Sequence, residues 1–171
     1  MHRALAIPEI VRIVSQYTIQ KSLPALAGTC RAFCDPALDL LWEEQEMLGN
    51  LLRCMPDDLW KHRKDEEDED EDEDEDEEDE DGMPCLLRPI VPADWDRVLF
   101  YNHRVKSFSF DMDEDLQYNF SSTSVLDILR MSFPGSILFP NLRSLQWWSG
   151  PKPMHYILLF VAPRLQDLML T

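Results

Sequence analysis

The stretch FPNLRSLQWW, Phe139 to Trp148, and the stretch APRLQDLML, Ala162 to Leu170, share one pattern. The first contains Leu142-x-x-Leu145-x-Trp147 and the second Leu165-x-x-Leu168-x-Leu170; they lie 23 residues apart and each follows a proline. A weaker copy, Val105-x-x-Phe108-x-Phe110, stands 37 residues before the first. Side chains alternate between the two faces of a strand, so apolar residues two apart share a face. The pattern predicts one short strand per copy, each followed by a returning helix or loop. The strands stack in parallel and their inward residues make a continuous core. Between the copies, SVLDILRMSF and MHYILLFV can supply the outer layer. Ser124, with Asp127 three residues on, forms a capping-box start for the first of these, and Pro134-Gly135 ends it.

Towards the N-terminus the period changes from two to 3.6. Ile7, Ile10, Val11, Val14 and Tyr17 have the spacing of a buried helical face, with Pro8 and Glu9 suited to a first turn. A second helix is expected from Ser22 as N-cap, with the face Leu23, Leu26, Ala27, Cys30 and Cys34. A third opens at Asp35-Pro36 with Leu38, Leu41 and Trp42 on its apolar side. A fourth stripe, Leu48, Leu51, Leu52 and Met55, stops at Pro56. Later, Asp94 is expected to cap a short helix carrying Trp95, Val98, Leu99 and Tyr101.

Charge separates these two regions. The chain has 33 acidic and 16 basic residues and a formal net charge of -17, and residues 65–81 are all Asp or Glu. Without that run, 16 acids face 16 bases, so the body is neutral and exerts no global pull on nucleic acid or anionic membrane. Like charges this dense repel one another and bury no apolar surface, so Lys64–Gly82 reads as solvated and disordered. The resulting organisation is a helical unit over 1–55, a linker over 56–92 that holds the acidic run as an insert, and a repeat segment over 93–171.

The sequence carries no recognisable catalytic motif. His2, His62, His103 and His155 have no metal-ligand spacing, and no G-x-S-x-G, P-loop or G-x-G-x-x-G occurs. Asp111, Asp113 and Asp115 imitate the start of a calcium loop, but Leu116 stands where Gly is needed and Ser122 where Glu is needed. Cys30, Cys34, Cys54 and Cys85 form no C-x-x-C pair. Cys30 and Cys34, one helical turn apart, could share a metal with a histidine, but core packing is the stronger reading. No cofactor and no enzymatic activity are expected. The longest apolar stretch, Tyr156 to Ala162, is far short of the ~20 residues that span a bilayer, and the N-terminus lacks an apolar signal region. The expectation is a non-secreted protein of cytoplasm or nucleus; KHRK, residues 61–64, is a weak import signal.

The stretch IPEIVRIVSQYTIQKSLPALAGTCRAFCDPALDLLWEE resembles the F-box motif. That motif opens on an apolar residue, Pro, an acid and an aliphatic, as in Ile7-Pro8-Glu9-Ile10. It continues through Leu23, Leu26, Ala27, Cys30, Arg31 and Phe33 and closes on Leu38, Leu41 and Trp42. The opening is one residue tighter than usual, and Phe33 stands where many members carry Trp. MPDDLW, RPIVPADWDRVLFYNHRVKSFSF and LFPNLRSLQWW are similar to segments of the leucine-rich half of F-box proteins numerous in fungi. The fold class implied is α then α/β: a three-helix bundle followed by a short leucine-rich-repeat solenoid. The Asn or Cys of a regular repeat is replaced by Asp113 and Gly150, so a ladder of buried amides is not expected.

The resemblance implies a substrate receptor of an SCF-type cullin–RING ubiquitin ligase. Its F-box would dock a Skp-family adaptor, and through it a cullin scaffold, while the repeats hold a protein substrate. Adaptor-contacting residues by this resemblance are Ile7, Pro8, Ile10, Val14, Leu26, Cys30, Leu38, Leu41 and Trp42; no substrate-binding residue is assigned. Three short amphipathic helices also have more apolar surface than so small a bundle hides, which marks an interface. The competing reading is a histone-chaperone-like module that uses residues 65–81 to bind basic proteins. Because the last copy ends at Leu170-Thr171 with no polar cap after it, the repeat arm reads as short or truncated.

Overall fold

The structure, a computed structural model, describes residues 7–59, 86–111, 123–148 and 154–170. Helices come first: α1 Pro8–Gln16, a 3-10 turn Gln20–Ser22, α2 Leu23–Thr29 and α3 Arg31–Glu43. Strand β1, Glu44–Gln45, follows α3 without a break, then α4 Gly49–Leu52 and a 3-10 turn Asp57–Leu59. Beyond residue 85 come a 3-10 turn Pro92–Trp95, α5 Asp96–Asn102, β2 Ser107–Asp111, α6 Thr123–Ser132, β3 Ser144–Trp148, a 3-10 segment Met154–Leu159 and β4 Asp167–Leu170. The architecture is mixed helix with a small parallel sheet.

The sheet order is β1-β2-β3-β4, every neighbouring pair parallel. The three sequence copies fall in register: Phe108 pairs with Leu145 and Leu145 with Leu168, while Phe110 pairs with Trp147 and Trp147 with Leu170. Phe108, Phe110, Leu145 and Trp147 are fully buried, and Phe139 and Phe160 from the connections close over them. Ring contacts tie the layers, with Phe110 stacked on Trp147 at 4.4 Å and Phe108 on Phe160 at 5.1 Å. Aromatic pairs of this kind add about 0.5–1.5 kcal/mol to the burial itself. On the last strand Leu168, Met169 and Leu170 remain exposed.

Several expectations are corrected. The second helix ends at Thr29, and α3 starts four residues before Asp35, with Pro36 inside it. Cys30 is extended and interrupts the path, and the Phe33 N–H already bonds the Cys30 carbonyl at 3.0 Å. At Pro36, close to the helix start, only one interior hydrogen bond is forgone. Ser22 precedes α2 but makes no side-chain cap. Asp94 sits inside the 3-10 turn, where its carboxylate accepts the Val91 N–H at 2.8 Å and the Arg88 guanidinium at 2.7 and 2.8 Å. Trp95 and Val98 are buried as expected, but Leu99 is exposed. The helix expected to start from Ser124 as its cap begins at Thr123, which puts Ser124 inside it, while Asp113, Asp115 and Gly150 lie outside the described residues.

The hydrophobic core runs across residue 55. Trp42, Leu48, Leu51, Leu52, Cys54, Met55 and Leu59 belong to the same buried cluster as Trp95, Phe108 and Trp147. The described residues on either side of 60–85 are joined, for the Leu87 N–H donates to the Leu59 carbonyl at 3.1 Å. Arg88 adds a bridge to Asp58 at 2.9 Å.

Candidate interaction surface on the first helix

The sequence PEIVRIVSQ puts aliphatic residues on more than one side of α1. Only Val11 and Ser15 are buried, four residues apart on one stripe that faces α3. The Ser15 hydroxyl donates to the Val11 carbonyl at 2.9 Å, so the polar member of that seam is satisfied within its own helix. Ile7, Ile10, Ile13, Val14 and Tyr17 lie outside it; at 3.6 residues per turn they span an arc of about 120°. All five are exposed, Ile13 at 52% and Tyr17 at 88%, and Ile19 continues the patch beyond the helix. The face expected to be buried is therefore the outward one, with Val11 its single inward member. Pro8 is exposed at its start.

The remaining sequence-predicted contact residues separate into two groups. Ile7, Pro8, Ile10 and Val14 are brought together on this outward arc. Leu26 and Cys30 are half-buried, and Leu38 and Leu41 pack against the main core. Trp42 is turned inward with 9% of its surface left, stacked on Tyr101 at 4.6 Å and 18° between rings. It is a core residue that ties α3 to α5. Ile13 and Ile19 were missed by the sequence reading; the signal available was that apolar residues surround more of α1 than one seam can cover.

An ionic joint fixes α3, and with it α1, against the sheet. Arg104 is buried, donates to the Asp35 carboxylate at 2.8 Å, and forms a second ion pair with Asp39. Burial pushes the Arg104 pKa down, but the two carboxylates outweigh it and the net direction is up. Lys106 pairs with Glu43 at 2.8 Å, and its backbone N–H donates to the Glu43 carbonyl at 2.8 Å. The thiol of Cys54 is pushed up by burial, with Arg97 pulling the other way, an inert setting for sulfur. Among the described residues no group of three or more His, Cys, Asp or Glu is placed to hold a metal ion, and no helix is long and apolar enough to cross a membrane. No family model matches the sequence, and neither curated proteins nor solved structures give a match.

Proposed function

We propose that the chain is an F-box-type substrate receptor of a cullin–RING ubiquitin ligase. The outward arc of α1, with Pro8 at its start, docks a Skp-family adaptor; the sheet, read as a short leucine-rich solenoid, holds a protein substrate. The chain does no chemistry of its own. The observation that carries this reading is the exposed α1 arc beside a two-residue seam. Single exposed apolar residues are ordinary, but a contiguous set on one helix is the pattern of a helix that enters a partner's groove. The motif resemblance supplies the partner class. Trp42 contributes by holding α3 in place.

The test is capture of a Skp-family adaptor by the full chain, since residues 42–59 share their core with the strands. The double change Ile10→Asp, Val14→Asp is expected to weaken capture by about 100-fold, the scale of interface hot spots. Because both side chains are exposed, the urea midpoint should stay close to wild type. A folded full chain that captures no adaptor sinks the reading.

A further inference from the structure

The sheet's outer face carries an ordered set of side chains. In register, Glu44, Ser107, Ser144 and Asp167 form one row across all four strands, and Asp111 stands beside Trp148 further along. The burial alternation of β2 and β3 puts these residues on the side away from the core. The middle of the row is two serines, so the surface is a shallow trough with a carboxylate at each end. With strands ~4.8 Å apart, three steps separate Glu44 from Asp167 by about 14 Å. Trp148 and Met169, 42% and 51% exposed, are the apolar side chains on this face.

Beside Glu44 the surface sinks into a cleft of about 440 Å³. Leu41, Trp42 and Met47 line it along with Glu44 and Glu46, and no lining residue is basic. Among the described residues no hydrogen bond or ion pair is made by either carboxylate. On β1 one backbone carbonyl and the Gln45 side chain are already engaged. Gln45 Nε2 donates to the Glu44 carbonyl at 2.8 Å, and its Oε1 accepts from Asn50 at 3.2 Å. Among the described residues no outward strand position carries Lys or Arg. The cations nearest the row, Lys106 and Arg143, precede β2 and β3, and Lys106 is held by Glu43.

We infer that this face binds an extended segment of a partner protein with Lys or Arg at positions i and i+4. Four residues of extended chain cover ~13 Å, which matches the separation of Glu44 and Asp167. The serines let the segment's backbone approach, and their hydroxyls and the Gln146 amide can bond it. A long cationic side chain fits the cleft by its two halves, the aliphatic stem along Leu41 and Met47 and the charged head at Glu44 and Glu46. A further cation has the exposed face of the Trp148 ring. Exposed ion pairs are individually weak, so the cleft and the aromatic ring are what make the set a site.

This inference rests on the reading of the sheet as the substrate arm and names the substrate's chemistry. The test uses the full chain with residues 65–81 replaced by a neutral Gly-Ser segment of equal length, so that no signal comes from the acidic run. The probe is a fluorescein-labelled 12-residue Gly-Ser peptide with two lysines spaced i, i+4, read by anisotropy. Binding is expected, and Glu44→Lys with Asp167→Lys should weaken it about tenfold or more. Glu44→Gln with Asp167→Asn repeats the test with less perturbation, and circular dichroism checks the fold. Absence of binding, or binding unchanged by both double variants, overturns the site; equal binding of an i, i+7 peptide overturns the spacing. Adaptor capture should be unaffected by the face variants. Its loss in wild type with peptide binding intact would remove the ligase reading and leave the site standing.

Discussion

Trp42→Ala separates the two roles open to that residue. The side chain keeps 9% of its surface exposed and stacks on Tyr101. Burying an aromatic of this size removes ~150–250 Å² from water, which at about 25 cal/mol/Å² is roughly 4–6 kcal/mol as an upper bound. Alanine recovers part of that and the site collapses partly, so a loss of about 3–5 kcal/mol in folding free energy is expected. Against a typical total of about 5–15 kcal/mol, the variant stands near or past the edge of unfolding at 37 °C. The assay is urea unfolding followed by far-UV circular dichroism, with adaptor capture measured on the fraction still folded at low temperature. Trp42→Phe keeps most of the stack with Tyr101 and should lose about half as much or less. An unchanged urea midpoint for Trp42→Ala together with lost capture would refute the reasoning, because it would return Trp42 to the adaptor interface.

Deleting residues 65–81 should leave both the unfolding midpoint and adaptor capture within error at physiological salt, since the Leu59–Leu87 hydrogen bond already brings the ends together and loop closure depends only weakly on length. Tight, salt-sensitive histone binding by the intact chain that the deletion abolishes would instead favour the acidic-arm module. Asp94 is held down to about 2, first by hydrogen bonds from Arg88 and then by the Val91 N–H. Its folded pKa lies below its unfolded value of ~3.9, so its stabilisation is present above about pH 4 and fades as pH falls towards 2. Asp94→Asn should flatten that part of the stability curve in urea titrations at pH 6, 4 and 3, and a wild-type slope in the variant would contradict this. At the α3 joint, Asp35→Asn with Asp39→Asn strands the buried Arg104 charge and should cost about 2–4 kcal/mol, whereas Arg104→Met should cost less, because removing a buried ion pair whole is cheaper than halving it. The reverse order in thermal melts would show that the pairs are not what holds α3.

The strand positions from Val105 to Phe110, Leu142 to Trp147 and Leu165 to Leu170 were legible in the sequence. The pleat has period two, and each copy puts its apolar residues on that period. The buried stripe of Leu48, Leu51, Leu52 and Met55 was legible for the corresponding helical reason. Strand β1 was not, because two residues carry no periodicity. Its Gln45 stands in register with Phe108 yet is polar, and it is accommodated by bonds to Leu41, Glu44 and Asn50. The start of α3 was misplaced because Asp35-Pro36 is a good helix opening locally, and the extended Cys30 that opens the helix earlier has no sequence signature.

By itself, then, the sequence determined that β2, β3 and β4 carry matching apolar periods and which residues of β2 and β3 turn inward, since those follow from local periodicity. It also set residues 65–81 apart by charge, since all of them are Asp or Glu. Only the tertiary structure decided which side of α1 looks outward. Apolar residues occupy a broad arc of that helix, and the choice of seam is made by how α3 presents itself to Val11 and Ser15. The same holds for Trp42. An aromatic at the end of a helix can anchor a partner or a core, and the position of Tyr101, 59 residues away in sequence, made it core.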